Sequence, residues 1–171
     1  MTERDRSGVS LEPLAPRHAE AIQRIAGDPR VQAMTLLPEP YPPDGAESFI
    51  RYARGAWGRE FNWAVVAAGE TVGCAALKEI HSGQGDVGYY IDPARWGKGL
   101  ATQAVRAVCA FAFEDLGLWR VTAHPLAENI ASCRVLEKAG FELAEVIRNP
   151  FAKWSPLARV ARYCREGPRS R

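Results

Sequence analysis

The segment Gly88-Tyr-Tyr-Ile-Asp-Pro-Ala-Arg-Trp-Gly-Lys-Gly-Leu-Ala-Thr102 constrains this chain more than any other. A strand, Val87–Ile91, runs into it and stops at Asp92-Pro93. Two glycines one residue apart follow. The stripe Leu100, Ala104, Val108, Phe111 and Ala112 then sets a helix over Leu100–Leu116, closed by Gly117. A glycine pair at a helix start lets the backbone turn sharply, with successive N–H groups aimed at one spot. Those donors and the positive end of the helix dipole suit a phosphate or pyrophosphate, and Arg95 and Lys98 add charge beside them. Alone, a GxG at a helix start is equally a tight turn. It is not a Walker loop, because GxxxxGK[ST] is absent. Nor is it a dinucleotide fingerprint, since no GxGxxG opens a βαβ unit near the N-terminus.

The surrounding pattern is mixed. Val9–Leu14 alternates as a strand. After Pro16, Ala19, Ile22, Ile25 and Ala26 recur at helical spacing until Gly27-Asp28-Pro29. Four prolines between Pro38 and Pro43 forbid regular structure there, and a stiff loop of that kind can frame a pocket. Asp44 reads as the N-cap of a helix to about Gly58. Phe61–Ala67 and Thr71–Ile80 flank the turn Ala68-Gly69-Glu70 as a hairpin, with His81–Gly85 as the next loop. Trp119–His124 is a strand, Asn129–Ala139 a capped helix ended by Gly140, and Phe141–Ile147 and Leu157–Cys164 are two final strands. The order βααβββαβαββ is α+β: a mixed, mostly antiparallel central sheet with helices packed on it.

Composition removes several alternatives. At 171 residues, 47% hydrophobic and 25% charged, the chain reads as one globular domain, 1–171, with about 1–8 and 167–171 as flexible ends. Lys and Arg number 22 against 20 Asp and Glu, a balance that leaves no footprint for nucleic acid. MTERDRSG lacks the apolar core of a secretory signal, and AVRAVCAFAF at 104–113 is short and carries Arg106, so no membrane partner is expected. Cys74, Cys109, Cys133 and Cys164 contain no CxxC and read as four small buried thiols of a cytoplasmic protein. His18, His81 and His124 are too dispersed to announce a metal site. Trp57, Phe61, Trp63 and Trp154 fit the core better than a pocket wall.

A second informative stretch is Glu128-Asn-Ile-Ala-Ser-Cys-Arg-Val-Leu-Glu-Lys-Ala-Gly-Phe141. Ser132 lies three residues past the Asn129 cap, at the positive end of its helix. Taken together, DPARWGKGLATQAV and ENIASCRVLEKAGF resemble the GNAT N-acetyltransferase superfamily, and within it the RimJ/RimL-like branch that acetylates ribosomal-protein N-termini. The resemblance implies a sheet with helices on both faces and splayed central strands, with acetyl-CoA as co-substrate. The amides of Gly97, Lys98, Gly99, Leu100, Ala101 and Thr102 would cradle the coenzyme A pyrophosphate. Tyr90 and Ile91 would pair with the pantetheine arm as if it were an added strand, one of their amides facing the thioester oxygen. Asn129 would contact the pantetheine, and Ser132 would protonate or hydrogen-bond the departing thiolate. Trp96 stands where the wider superfamily often has Gln or Arg, and matches this branch.

The same resemblance implies direct attack by a primary amine, of a protein N-terminus or a small molecule, in a ternary complex. A protonated amine cannot attack, so a base is needed. Candidates are Glu79, through water, and His124, whose imidazole titrates near neutrality; His81, Tyr89 and Tyr90 also lie at strand ends or beside the splay. Two features depart from the branch. Arg148–Lys153 supplies no acidic residue where its members carry their base, and Arg159 stands where relatives often have an acid four before the equivalent of Tyr163. Arg159, Arg162, Arg165, Arg169 and Arg171 read as a solvated face and tail. Another acyl donor such as succinyl-CoA, or a non-catalytic coenzyme A-binding regulator, remains open, as does a homodimer through the final strands or exposed aromatics.

Overall fold

A computed structural model describes residues 8–168. Strand β1 (Val9–Pro13) is followed by a short 3-10 turn and the helices α1 (Ala19–Ala26), α2 (Pro29–Ala33) and α3 (Gly45–Ala56). Then come β2 (Phe61–Ala67), β3 (Glu70–His81), β4 (Gln84–Ile91) and α4 (Leu100–Ala110), and last β5 (Arg120–Ala123), α5 (Ile130–Lys138), β6 (Glu142–Arg148) and β7 (Arg159–Glu166). The seven strands form one sheet in the order β1-β2-β3-β4-β5-β7-β6. Only β4 and β5 pair in parallel; every other neighbour is antiparallel. β2, β3 and β4 meet through tight hairpins and β6 and β7 through a longer loop, whereas β1 reaches β2 through α1, α2 and α3, and β4 reaches β5 through α4, the crossover a parallel pair needs.

Strand alternation sends successive residues to opposite faces, and each face finds its own helices. Ala64, Val66 and Cys74 pack with Ile22 of α1 and Ala46, Ile50 and Ala53 of α3. Trp63, Val65, Leu77 and Val121 pack with Ala104, Val105 and Val108 of α4 and Leu136 of α5 on the other. The α+β sheet with helices packed on it is therefore the one the sequence pattern implies, and the helices on both faces are those the resemblance implies.

Several local readings change. Pro29, read as a stop, opens α2, because Asp28 caps that helix by accepting from the Arg30 amide at 2.9 Å. Asp44 is the N-cap of α3 through its carbonyl, which accepts from the Ser48 amide at 3.0 Å, but its carboxylate caps no amide and accepts from the Ser48 hydroxyl at 3.0 Å. The loop assigned to His81–Gly85 contracts to Ser82-Gly83, whose positive φ of 49° and 75° close a second tight hairpin like Ala68-Gly69 at 51° and 81°. The helix from Leu100 finishes in a wider π turn over Phe111–Asp115. Both final strands start later than expected. Cys164 is half-buried, unlike the other three cysteines. Arg165 leaves the solvated face: its guanidinium donates to the Ala139 carbonyl at 2.9 Å and lies over Phe113. Arg169, Arg171 and most of the two expected flexible ends lie outside the described residues, but the Gly167 amide is bonded to the Trp119 carbonyl at 2.9 Å.

Gly73 sets how closely β3 approaches β4. A Cβ there would stand 2.1 Å from the Tyr90 carbonyl oxygen and 3.0 Å from the Ile91 Cα. Gly73→Ala is expected to cost about 1–3 kcal/mol, because backbone rather than a flexible side chain must yield. A Cβ at Gly88, on the same strand pair, meets nothing within 4 Å, so Gly88→Ala should stay within about 0.5 kcal/mol. Urea midpoints of the two variants check the contrast.

Candidate active site

The loop between β4 and α4 is fixed at its base. Burial opposes ionisation of Asp92, but the Ala94 amide and the Arg24 guanidinium outweigh it and hold the carboxyl below its ordinary range. Beyond this anchor Gly97 and Gly99 take positive φ of 76° and 73°, a region open to glycine at little cost. None of the six amides from Gly97 to Thr102 finds a hydrogen-bond acceptor among the described residues; Gln103, donating to the Gly99 carbonyl at 3.1 Å, is the first that does. Six successive free donors at a helix N-terminus can hold an anion, and the exposed Lys98 lies among them. Arg95 adds less than its position suggests, because it is paired with Glu70. The Trp96 indole donates to the Ile91 carbonyl at 2.8 Å and so staples the loop to the end of β4.

Strands β4 and β5 separate. Their pairing covers only Gln84–Asp86 against Arg120–Thr122, and Val87–Ile91 continues without a partner on that side among the described residues. The Asp92 amide donates to the Val72 carbonyl at 2.8 Å, which fixes the phase of the backbone. By alternation the amide of Tyr90 turns toward β3, while those of Val87, Tyr89 and Ile91 face the gap. The strand donors at the splay are thus Tyr89 and Ile91. Tyr90 instead sends its side chain to the α1/α3 face, where burial pushes its phenol well above the ordinary range.

A cavity of about 470 Å³ passes through this gap. Glu79, His124 and Ser132 all line it, as do Tyr89, Tyr90 and Asp86. Loop residues 96–102 and Asn129 are absent from its walls and border the β4–α4 and α5 ends instead. Asn129 is the N-cap: its Oδ1 accepts from the Ser132 amide at 3.1 Å and so fixes the first turn of α5. Ser132 Oγ lies 2.7 Å from the Tyr89 hydroxyl, whose pKa burial raises to about 12, so Tyr89 remains a neutral phenol. His124 Nδ1 lies 2.7 Å from Asp86 Oδ1, which also accepts from the Thr122 hydroxyl at 2.7 Å. A ring that donates Nδ1–H to this carboxylate keeps Nε2 as its acceptor. Glu79 is exposed at a β3 bulge, with a φ of 50°. His81 sits at the Ser82-Gly83 turn, away from the cavity.

Sequence reasoning missed Asp86, Asn62 and the bonds that shape the loop 149–158. Trp154 joins Phe151 on the cavity wall, whereas Phe61 and Trp63 are core and Trp57 is 44% exposed. A second hollow of about 630 Å³, between Pro16 and α3, holds none of the predicted site residues. Among the described residues no group of three His, Cys, Asp or Glu could hold a metal ion, and no helix is long and apolar enough to cross a membrane.

A sheet that parts between β4 and β5, with unpaired amides at a helix N-terminus beyond the end of β4, offers a site suited to an anionic group. Residues 9–142 match the acetyltransferase (GNAT) domain family, and the chain belongs to that family. A probable N-acetyltransferase, YjcK of Bacillus subtilis (strain 168), is 37% identical over 94 residues, covering 52% of each chain. An FsC-acetyl coenzyme A-N(2)-transacetylase of Aspergillus fumigatus is 26% identical over 155 residues, 84% of this chain and 66% of its own. The chain therefore spans between about half and two thirds of these curated relatives. The structure of Mycobacterium smegmatis RimJ in complex with CoA-disulfide superposes with a TM-score of 0.84 at 22% identity, covering 94% of this chain and 83% of that one. That likeness is one of fold.

Proposed function

We propose that the protein transfers an acetyl group from acetyl-CoA to a primary amine, by direct attack in a ternary complex. One observation carries this: the six unpaired amides of Gly97 to Thr102 stand at the end of a strand whose next neighbour has peeled away. The donor named for the Aspergillus relative and the coenzyme carried by the RimJ structure support the same reading.

In this reading the free amides and Lys98 hold the pyrophosphate, and the Trp96 staple keeps the loop in register with β4. The coenzyme supplies an acetyl thioester with a thiolate leaving group. The amides of Tyr89 and Ile91 align its arm as a further strand, and one of them faces the thioester oxygen as negative charge develops there. His124 Nε2 removes the proton of the attacking ammonium, with Asp86 holding the ring. As the C–N bond forms and the C–S bond breaks, the Ser132 hydroxyl donates a proton to sulfur. The first amine proton leaves through His124 to water, the second leaves by the same imidazole once the C–N bond has formed, and Ser132 recovers its own from solvent by way of the Tyr89 hydroxyl. Glu79, unrestrained at the rim, attracts the incoming cation. Asn129 acts through the first turn of α5, which it caps. A longer acyl donor and a non-catalytic regulator are separated from this reading by a donor panel with free-thiol detection.

Calorimetric titration of acetyl-CoA into the protein tests the donor. Gly99→Glu places an L side chain at a φ of 73°, which costs roughly 1–2 kcal/mol, and adds a carboxylate beside the phosphates. It should weaken binding by about 30-fold or more. Absence of binding by folded wild-type protein would mean the loop is only a turn.

A further inference from the structure

The acceptor side of the cavity is built from parts the proposed transfer does not use. Its outer wall is the connection after α2 and the loop 149–158, and one lysine joins them. Lys153 Nζ donates to the carbonyls of Gln32 at 2.6 Å and Thr35 at 2.9 Å, and to that of Leu37, with Glu39 4.0 Å away. Its three donors are spent on backbone, so its charge is not available to an anion on a substrate. Asn149 shapes the loop from within: its amide donates to the carbonyls of Phe151 at 2.7 Å and Trp154 at 2.9 Å, and its oxygen accepts from the Phe151 amide at 2.7 Å. The wall is therefore preorganised, and it presents Phe151 and Trp154 edge to face at 5.6 Å. The Phe151 ring lies 6.5 Å from the His124 ring, so the aromatic surface begins where the amine would be deprotonated.

The rest of this half is apolar or unpaired. Phe49 lines it from α3, and Met34 and Leu36 stand 39% and 51% exposed at its edge. Buried among these walls, Trp154 Nε1 and Asn62 Oδ1 have no hydrogen-bond partner among the described residues. A buried donor or acceptor left unpaired is costly, so a small shift of the Trp154 ring that opens Nε1 to a bound molecule lets that molecule supply the missing group. The carboxylates are few. Asp86 is committed to His124 and Thr122, which leaves Glu79 at the rim. A polycation needs several acidic partners spaced along its length, and this wall offers none.

Resting on the proposed acetyl transfer, we infer that the acceptor is a monoamine on an aromatic or bulky apolar body, with a carbonyl oxygen close to the amine. The body lies against Phe49, Phe151 and Trp154. The carbonyl accepts from Trp154 Nε1, and the amine points at His124.

Acetyl-CoA with phenylalaninamide, phenethylamine, glycinamide or spermidine, followed by thiol release, tests this. Phenylalaninamide is expected to show the highest kcat/KM, at least tenfold over glycinamide and over spermidine. Phenethylamine, which lacks the carbonyl, falls between. Trp154→Phe keeps the ring and removes the donor, so it should abolish the preference for phenylalaninamide over phenethylamine while leaving acetyl-CoA affinity unchanged. Spermidine as best acceptor, or glycinamide equal to phenylalaninamide, overturns the inference. So does an unaltered amide preference in Trp154→Phe. Acetyl-CoA binding with none of the four amines acetylated overturns the acceptor class alone, whereas no acetyl-CoA binding overturns the transfer reading beneath it.

Discussion

Ser132→Ala is expected to lower kcat by about 10²–10³-fold while the dissociation constant for acetyl-CoA moves by less than about threefold, the range of a lost general acid. The split follows from position. Ser132 sits in the first turn of α5, whose backbone is held by Asn129 and keeps its conformation when the hydroxyl is removed. Coenzyme affinity comes in this reading from the amides of the loop before α4, which the serine does not touch. The hydroxyl matters only when the sulfur departs. The pair with Tyr89 predicts a second, smaller effect. Burial keeps Tyr89 protonated with a pKa of about 12, so it can donate to Ser132 and turn the serine O–H outward. Tyr89→Phe leaves the serine without that orientation and should cost about tenfold in kcat. Steady-state thiol release and calorimetry on the same preparations measure both quantities. Equal losses in turnover and binding, or no loss in either, would remove Ser132 from the leaving-group role.

What was legible in the sequence was local. Gly97 and Gly99 announce their positive φ because few other residues take it cheaply, and the stripe from Leu100 to Ala112 announces the helix that follows. Asn129 and Ser132 could be placed relative to one another because three residues of helix separate them. The strands of the central sheet were legible for the same reason, since their alternation is a short-range signal. The short helix α2 was hidden because its Pro29 serves equally as a stop and as a first helical residue. The contacts that hold the acceptor wall in shape were hidden because they are long-range. Lys153 reaches carbonyls 116 to 121 residues away, and nothing near it in the chain marks it as a clamp. Asp86 was invisible for a related reason: a lone acid on a strand reads as surface until the fold sets His124, 38 residues on, against it. Of the two amides offered at the splay, that of Ile91 faces the gap and that of Tyr90 does not, a choice that depends on the Asp92–Val72 bond, which no pattern encodes.

The Asp86–His124 pair carries the other large expected effect. His124→Gln should lower kcat/KM for the amine by about 10²–10³-fold, because glutamine fills the space and keeps a hydrogen bond to Asp86 but cannot hold the proton. Asp86→Asn leaves an imidazole in place without the acceptor that sets its tautomer, and about 10- to 30-fold is expected, mainly in kcat. If Asp86 acts through the ring, the double variant is no slower than His124→Gln alone, because the second substitution has nothing left to orient. Independent contributions would multiply instead, and would mean that Asp86 meets the ammonium directly. Glu79→Gln decides between the candidate bases. Glu79 is exposed and no hydrogen bond among the described residues orients it, so its loss should change kcat by less than about threefold and appear mostly in KM. A large fall in kcat for Glu79→Gln, with His124→Gln nearly silent, would transfer the base to the rim carboxylate and a water. It would also leave the imidazole as a strand-end residue that ties β5 to β4 at the point where they part.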